Sequence, residues 1–272
     1  MLRLKYKNNT IYSYLGTIRN ETWNISVNMK DKIDKIKQIW RTVRTMPSVE
    51  VNLMKDACEG NDPYFARITE QFYREANARH PKFPLIRKKT YGIALFPLDG
   101  KPDSYLKAVE SSARRNYKKA IRKEYTFRRI NFNDYLDDIW DIRRSAKVRQ
   151  GEMPEGFINN RPSEVCVPLS NSNVHDYPCF GVFNQNGKLV AYANCIVAGE
   201  LIEVEHVYGH SEFQSDGIVP LLYISIGEVA VTEFPHVKYY SYGTFLGASP
   251  TMQRFKKKFK FLPHKVLWKL HS

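Results

Sequence analysis

The segment HSEFQSDGIVPLL, from His210 to Leu222, has an order of residues that could bind an anion. A polar loop that contains Gly217 runs directly into an apolar stretch with Pro220 near its start. Such a transition is typical of a strand that passes into a helix, and the free backbone N–H groups at a helix start bind phosphate. The segment therefore predicts a phosphate-binding turn. The alternative is a turn without a ligand, in which Gly217 only supplies a positive φ angle.

Basic side chains gather in a second segment, and they suit the same kind of ligand. An apolar stripe at helical spacing predicts a helix over residues 105–123, and the stripe consists of Leu106, Val109, Ala113, Tyr117 and Ala120 or Ile121. The candidate phosphate contacts lie on the other side of this helix or flank it: Arg114, Arg115, Lys118, Lys119 and Arg122. The alternative is that these charges form a solvated face.

The overall charge favours an anionic partner but does not select one. The 272 residues contain 42 Lys and Arg against 28 Asp and Glu, which gives a net charge of +14. An excess of this size favours nucleic acid, an anionic membrane surface or a phosphorylated ligand. With 43% hydrophobic and 26% charged residues, the composition is otherwise that of a soluble globular protein.

Metal sites, disulfides and membrane spans are not expected. The cysteines lie far apart and include no C-x-x-C pair, so neither a zinc site nor a disulfide framework is predicted: Cys58, Cys166, Cys179 and Cys195. No apolar run approaches the roughly 20 residues that a membrane-spanning helix needs. The N-terminus lacks the continuous apolar region of a signal peptide. We therefore expect a cytoplasmic protein with reduced thiols and without a metal.

Hydrophobic periodicity predicts the elements that must position these residues. In chain order they are a hairpin within 8–27, helices within 29–46 and 62–80, a buried strand within 91–100, the basic helix over 105–123, a helix within 132–151, a long loop or lid from 153 to 178, three strands within 179–210, a helix after Gly217, a strand within 237–245, a helix from Pro250 and a strand within 264–270. The pair Asn186-Gly187 between two alternating runs is a strong hairpin signal. This order predicts an α/β (α+β) fold.

Three stretches, taken in this order, resemble the GNAT acyltransferase superfamily and, more closely, its FemAB-like branch. They are ESSARRNYKKAIRKEY at 110–125, NQNGKLVAYANCIVAGELIEVEHVYG at 184–209 and KYYSYGTFLGASPTMQRFKKKFKF at 238–261. The resemblance implies that residues 91–272 form a GNAT-like core, which is a mixed and mostly antiparallel sheet flanked by helices. Residues 1–90 are predicted to be an N-terminal α/β region without an assignment.

The resemblance implies a binding site for coenzyme A in the loop from His210 to Gly217. GNAT enzymes bind the pyrophosphate of acyl-coenzyme A on a Gln/Arg-x-x-Gly-x-Gly/Ala motif, which corresponds in this chain to residues 214–219. Gly217 matches the first glycine, Val219 replaces the second, and Asp216 adds a negative charge beside the anion. The implied cofactor-binding residues are Val207, Gln214, Asp216, Gly217, Ile218 and Val219.

The resemblance also implies a general base in the strand before this loop. In LIEVEHVYGH, strict alternation places Glu203 and Glu205 on one face and Val204, His206 and Tyr208 on the other. Many GNAT enzymes use a glutamate at this place to take a proton from the attacking amine, and Glu203 lies at the expected distance from the loop. Glu205 is the competing candidate. The alternative is that both glutamates are simply solvated.

The general acid of GNAT enzymes, a tyrosine in the late helix, has no obvious counterpart. In PTMQRFKKKFKF the comparable positions hold Phe255 and Lys256. An apolar stripe of Met252, Phe255 and Phe259 predicts that Lys256 and its neighbouring lysines point outward. A basic late helix without the tyrosine fits a FemAB-like protein, in which the donor is an aminoacyl-tRNA.

These observations leave three functions open. The leading one is an acyltransferase that moves an acyl or aminoacyl group from acyl-coenzyme A or aminoacyl-tRNA to an amine. The second is an acyltransferase that modifies DNA or RNA, with the basic surface following the nucleic-acid backbone. The third is a non-catalytic GNAT-like module that binds nucleic acid.

Overall fold

The computed structural model describes residues 37, 41, 43–58, 60–81, 86–149 and 151–271. The sheet and its helices belong to the compact unit Thr42–Ser272. The hairpin predicted within 8–27 lies outside the described residues, as does most of the helix predicted within 29–46.

A mixed sheet forms the centre of this unit. The strands that the structure describes are β1 (Ser48–Asn52), β2 (Tyr91–Pro97), β3 (Thr126–Ile130), β4 (His175–Asp176), β5 (Cys179–Phe183), β6 (Leu189–Ala198), β7 (Leu201–Gly209), β8 (Tyr239–Thr244) and β9 (Leu262–Lys269). Their spatial order is β1-β9-β2-β8-β7-β6-β5-β3, with β4 beside β6. Two pairs, β1 with β9 and β7 with β8, are parallel, and the other pairs are antiparallel. The predicted fold class, a mostly antiparallel mixed sheet flanked by helices, is confirmed.

Helices cover both faces of the sheet. The α-helices that lie wholly among the described residues are α1 (Pro63–Asn77), α2 (Ser104–Ala108), α3 (Ser111–Arg122), α4 (Leu136–Arg144), α5 (Glu155–Asn159), α6 (Ile218–Glu233) and α7 (Pro250–Lys258). Along β6, Cys195 packs in a cluster with Ile224 of α6, whereas Tyr192 packs with Ile139 of α4, and Ile196 packs in the cluster that contains α1. Successive strand residues point to opposite faces. We therefore call one side the α6 face and the other the α1/α4 face.

The predicted helix over 105–123 is interrupted. The backbone of Val109 is extended (φ −60°, ψ 156°) between α2 and α3, and the N–H of Glu110 donates to the carbonyl of Lys258 at 3.0 Å. This hydrogen bond to α7 therefore takes the place of the hydrogen bond that would have continued α2. Of the two alternatives for the end of the stripe, Ala120 is buried and Ile121 is 48% exposed.

Two further elements differ from those that the sequence predicts. Strand β3 was not predicted, because its sequence TFRRI has charged side chains exposed at the edge of the sheet and shows little alternation. The segment 153–178, predicted as a long loop or lid, contains the short helix α5 and the two-residue strand β4.

The boundary placed at residue 90 remains a prediction. Residues before it take part in the same sheet, since β1 pairs along β9. Helix α1 packs beneath these strands, with the ring of Phe72 5.2 Å from that of Trp268 in β9.

Candidate functional site

The parallel strands β7 and β8 separate partway along the sheet. Their pairing runs from Leu201 opposite Tyr239 to Glu203 opposite Ser241 and then stops. Beyond this point β8 continues beside β2, and β7 continues beside β6. An opening therefore lies between the two strands directly after Glu203.

A β-bulge in β7 decides which side chains accompany Glu203. Asn194 of β6 lies opposite His206, but the next residue of β6 lies opposite Val204, so Glu205 is the extra residue. The shift moves His206, and the tyrosine two positions further on, to the α1/α4 face, where Glu203 also lies. The prediction that they occupy the face opposite Glu203 was wrong, because it assumed strict alternation.

Glu203 is a buried carboxylate with one oxygen paired and one free. The residue is only 5% exposed. Its Oε1 accepts a hydrogen bond from Lys89 Nζ at 3.2 Å, whereas its Oε2 is buried without a hydrogen-bond partner in the described part of the chain. A carboxylate in this state can accept a proton at Oε2 while Oε1 keeps the hydrogen bond from Lys89.

Lys89 is held firmly beside this carboxylate. Its backbone N–H donates to the carbonyl of Ala76 at 2.9 Å, and its Nζ lies 4.2 Å from the centroid of the Phe72 ring. Burial lowers the pKa of Lys89, but the carboxylates of Glu203 and Glu75 raise it, and the resulting pKa lies above the usual value. Lys89 is therefore an ammonium group at neutral pH.

Glu205 lies at the exposed margin of the same group. Its carboxylate accepts a hydrogen bond from the hydroxyl of Tyr177. Desolvation by neighbouring groups raises the pKa of Glu205. The hydrogen bond from the Tyr177 hydroxyl lowers this pKa, and the charge of Glu203 raises it further. The structure thus brings together the two carboxylates that the sequence analysis named, and it gives them different environments. Their catalytic roles remain predictions.

Lys256 is a functional candidate that sequence reasoning placed wrongly. It was predicted to point outward, yet it is 5% exposed, and its Nζ donates to the carbonyls of Tyr242 at 2.5 Å and Thr244 at 2.7 Å. Both carbonyls belong to β8 where that strand has left β7. Burial lowers the pKa of Lys256 to about 8, and the charge of Glu203 partly offsets this. The run KKK carries no signal of which lysine is buried.

The loop before α6 is closely packed against α3. Gly217 has a φ of +89°, and a Cβ added there would lie 2.2 Å from the carbonyl oxygen of Asn116 in α3. Asp216 accepts hydrogen bonds from Lys123 Nζ at 2.6 Å and from the Tyr125 hydroxyl at 2.9 Å. The hydrogen bond from Lys123 is the main cause that lowers the pKa of Asp216. A turn with a close approach to α3 therefore accounts for Gly217 without a ligand.

The other predicted cofactor-binding residues take part in the structure of this loop or pack against the core. The carbonyl of Gln214 accepts from the N–H of Gly217 at 3.2 Å, and Ile218 is fully buried at the start of α6. Val219 follows it and packs partly buried against the same core, as does Val207, which lies opposite Ala193 on the α6 face. Whether these residues bind a cofactor remains a prediction.

The basic residues of α3 divide into two sets. Lys119 donates to the carbonyl of Ser215 at 2.7 Å, and Arg114 donates to the carbonyl of Lys107 at 2.7 Å, so these two stabilise the fold. The remaining three are exposed, and we call them the exposed α3 cations: Arg115, Lys118 and Arg122. Burial lowers the pKa of Lys258 in α7, and Arg115 lowers it further while Glu110 opposes both. Arg115 of α3 therefore lies near Lys258 of α7.

A surface cavity lies elsewhere, at the edge of the sheet. Its volume is about 340 Å³, and it is lined by Glu124, Thr126, Arg128, Phe183, Asn184, Gln185 and Gly187. It shares no residue with the group around Glu203. The opening between β7 and β8 contains a buried carboxylate and a buried amine, whereas the charged residues that line this cavity are exposed. We therefore take the opening as the candidate site.

Two further properties concern only the described residues. They contain no group of three or more His, Cys, Asp or Glu side chains that could hold a metal ion. None of their helices has the length and apolar character needed to cross a membrane.

Comparison with known proteins identifies the fold. No family model and no curated protein matches the chain. FemX aligns with 87% of this chain and 74% of its own length at 12% identity and a TM-score of 0.52. The L-PGS from Bacillus licheniformis aligns with 64% of this chain at 15% identity and a TM-score of 0.43, and a tandem GNAT protein from the clavulanic acid biosynthesis pathway aligns with 64% at 13% and 0.40. This chain spans 57% of the former and 50% of the latter. The protein has a GNAT-like fold of the FemAB type.

Proposed function

We propose that the protein transfers an acyl or aminoacyl group to an amine. The observation that carries this proposal is a pair of buried groups at the opening between β7 and β8. Glu203 has a free oxygen that can take a proton, and Lys256 has a pKa lowered to about 8, which suits proton donation near neutral pH. The GNAT-like fold agrees with this reaction but does not by itself establish it.

The two groups act on opposite sides of one carbonyl. The amine nitrogen forms a bond to the carbonyl carbon of the donor, and the bond from this carbon to its leaving oxygen or sulfur breaks. Glu203 Oε2 takes one proton from the amine. Lys256 stabilises the oxyanion of the tetrahedral intermediate and gives a proton to the leaving group. One proton is taken and one is given, and solvent restores both side chains.

An ester of tRNA is the donor that we propose in preference to a thioester of coenzyme A. The loop in which GNAT enzymes bind pyrophosphate holds Asp216, which already accepts bonds from Lys123 and Tyr125. A pyrophosphate there would meet this carboxylate and would displace its partners. The exposed α3 cations, with Lys258 of α7 near Arg115, offer an alternative surface for a polyanionic donor.

A transfer assay tests the proposal directly. Purified protein is incubated with a primary amine, cadaverine, and with either a pool of radiolabelled aminoacyl-tRNAs or radiolabelled acetyl-coenzyme A. We expect labelled amide from the tRNA pool, formed about 100- to 10,000-fold more slowly by the Glu203→Gln variant. Label transferred only from acetyl-coenzyme A would contradict the donor, and the absence of transfer from either donor would contradict the function.

Binding of nucleic acid without catalysis is a second candidate function. It is favoured by the exposed α3 cations and by the proximity of Arg115 to Lys258 of α7. Binding of fluorescently labelled tRNA, measured over a range of salt concentrations, tests it. A steep salt dependence without any transfer of label would support this candidate over the enzyme.

A further inference from the structure

We propose that the acceptor binds as a primary ammonium group on the α1/α4 face, between the side chains of Asn194 and Glu203, and that Asn194 determines this specificity. The inference rests on the proposed function, since it names the acceptor's charge and its binding residues at the same site. It adds a residue from β6 to a site that otherwise consists of β7, α7 and Lys89.

The strand register places these two side chains on one face. Ile196 of β6 lies directly opposite Glu203 of β7, so the two side chains point the same way. Asn194 and Ile196 are two residues apart on β6, where alternation is regular, and therefore share this face. Asn194 is thus the diagonal neighbour of Glu203, a relation in which long side chains reach one another.

Both side chains end in an oxygen that lacks a donor. Asn194 Oδ1 and Glu203 Oε2 are each buried without a hydrogen-bond partner in the described part of the chain. Buried oxygens of this kind are seldom left unpaired in folded proteins, because desolvation without a hydrogen bond is costly. A ligand that bridged these two acceptor oxygens on adjacent strands would need at least two donors.

An ammonium group satisfies this requirement, and the protein already contains one in the equivalent place. Lys89 donates to the other oxygen of Glu203, with its charge over the ring of Phe72. An external ammonium group that binds Oε2 would repeat this interaction on the free side of the carboxylate. An acceptor that presents a carboxylate or phosphate to this position would bring further lone pairs against two oxygens that are acceptors only.

Charged groups near this position lie on several elements. Glu205, the extra residue of the bulge, is exposed, and its hydrogen bond to Tyr177 places it at the margin from which an acceptor would approach. Arg143 of α4 also lies on this face, but its Nε donates to the Tyr192 hydroxyl at 2.9 Å and its guanidinium lies 4.2 Å over the ring of Phe157. The paired Arg143 does not supply a donor to Asn194 or Glu203.

The same geometry orients the amine for attack. Once the ammonium group has released its first proton to solvent, the neutral amine still donates a hydrogen bond to Asn194 Oδ1, and Glu203 Oε2 takes the second proton as the bond between nitrogen and carbon forms. This bond holds the nitrogen lone pair toward the opening between β7 and β8, where Lys256 lies. Asn194 is therefore a specificity and positioning residue, and its loss should raise KM more than it lowers kcat.

Binding of cadaverine without any donor tests the inference. The wild type, Asn194→Leu, Asn194→Asp and an exposed control, Asn186→Leu, are titrated with cadaverine and, separately, with glutarate, and binding is followed by NMR of protein labelled with ¹⁵N on asparagine. We expect cadaverine binding about tenfold weaker for Asn194→Leu, retained for Asn194→Asp and unchanged for Asn186→Leu. Glutarate should not bind.

The outcomes separate this inference from the proposed function. Equal cadaverine affinity in Asn194→Leu and wild type, or no cadaverine binding by the wild type, would overturn the inference. If cadaverine binds as expected but no donor acylates it, the inference stands and the proposed function fails. If Asn194→Leu does not fold, as judged by its circular dichroism, Asn194→Asp decides: loss of cadaverine binding in this folded variant would overturn the inference.

Discussion

The lowered pKa of Lys256 makes the stability of this protein depend on pH in a defined way. The side chain has an ordinary pKa of 10.5, and burial lowers it to about 8 in the folded protein. Between these two values the unfolded chain binds a proton that the folded chain does not bind, so the free energy of unfolding rises with pH. The shift corresponds to about 3 kcal/mol, at 1.36 kcal/mol for each pH unit. The penalty for the buried charge is thus fully present below pH 8 and is relieved as the pH rises toward 10.5.

Urea unfolding of the wild type and of Lys256→Met, measured from pH 7 to pH 10.5, isolates this effect. The difference between the two free energies of unfolding cancels other groups that titrate, and we expect it to shift by about 3 kcal/mol in favour of the wild type. The exposed neighbour provides a control, since Lys257→Met should follow the wild type at every pH. Curves of the wild type and Lys256→Met that stay parallel over this range would refute the reasoning.

Three further predictions concern the neighbouring groups. Glu203→Gln should lower the transfer rate at saturating donor by about 100- to 10,000-fold, and Glu205→Gln is measured beside it. Equal rates in both variants and in the wild type would exclude a general base in β7. Lys89→Met should lower the free energy of unfolding by about 3–5 kcal/mol, because it leaves the Glu203 charge buried and unpaired. The double variant with Glu203→Gln should recover part of this loss. A double variant in which the losses of the two single variants simply add would contradict the ion pair. Changing the exposed α3 cations to glutamine should weaken tRNA binding and flatten its salt dependence, with stability altered by only about 0.5 kcal/mol, whereas unchanged affinity would show that these charges are merely solvated.

Much of the fold could be predicted because it follows from local pattern. Alternation marked the three central strands, and Asn186-Gly187 marked the turn between two of them, where Gly187 has a φ of +75°. Unbroken apolar sequence marked α6, which is buried along most of its length. These signals lie within a few residues of the structure that they specify, so the sequence carries them without reference to distant parts of the chain.

The site could be predicted only in part, because its key features depend on contacts between distant residues. Glu203 was identified from its distance to Gly217, but its partner Lys89 lies 114 positions away and comes from a segment that was not assigned. The bulge at Glu205 depends on the register between two strands, and strict alternation cannot reveal it. The break at Val109 likewise depends on a bond to α7.

Lys256 shows most clearly where the sequence stops being informative. By itself the sequence determined that the late helix is basic and that it carries an apolar stripe. Only the tertiary structure decided that one of its lysines is buried, because β8 separates from β7 and its carbonyls at Tyr242 and Thr244 then accept hydrogen bonds from Lys256. Burial then lowers the pKa of that lysine to about 8. The chemistry of a lysine in this helix is thus set by backbone groups of another element, which the local sequence does not encode.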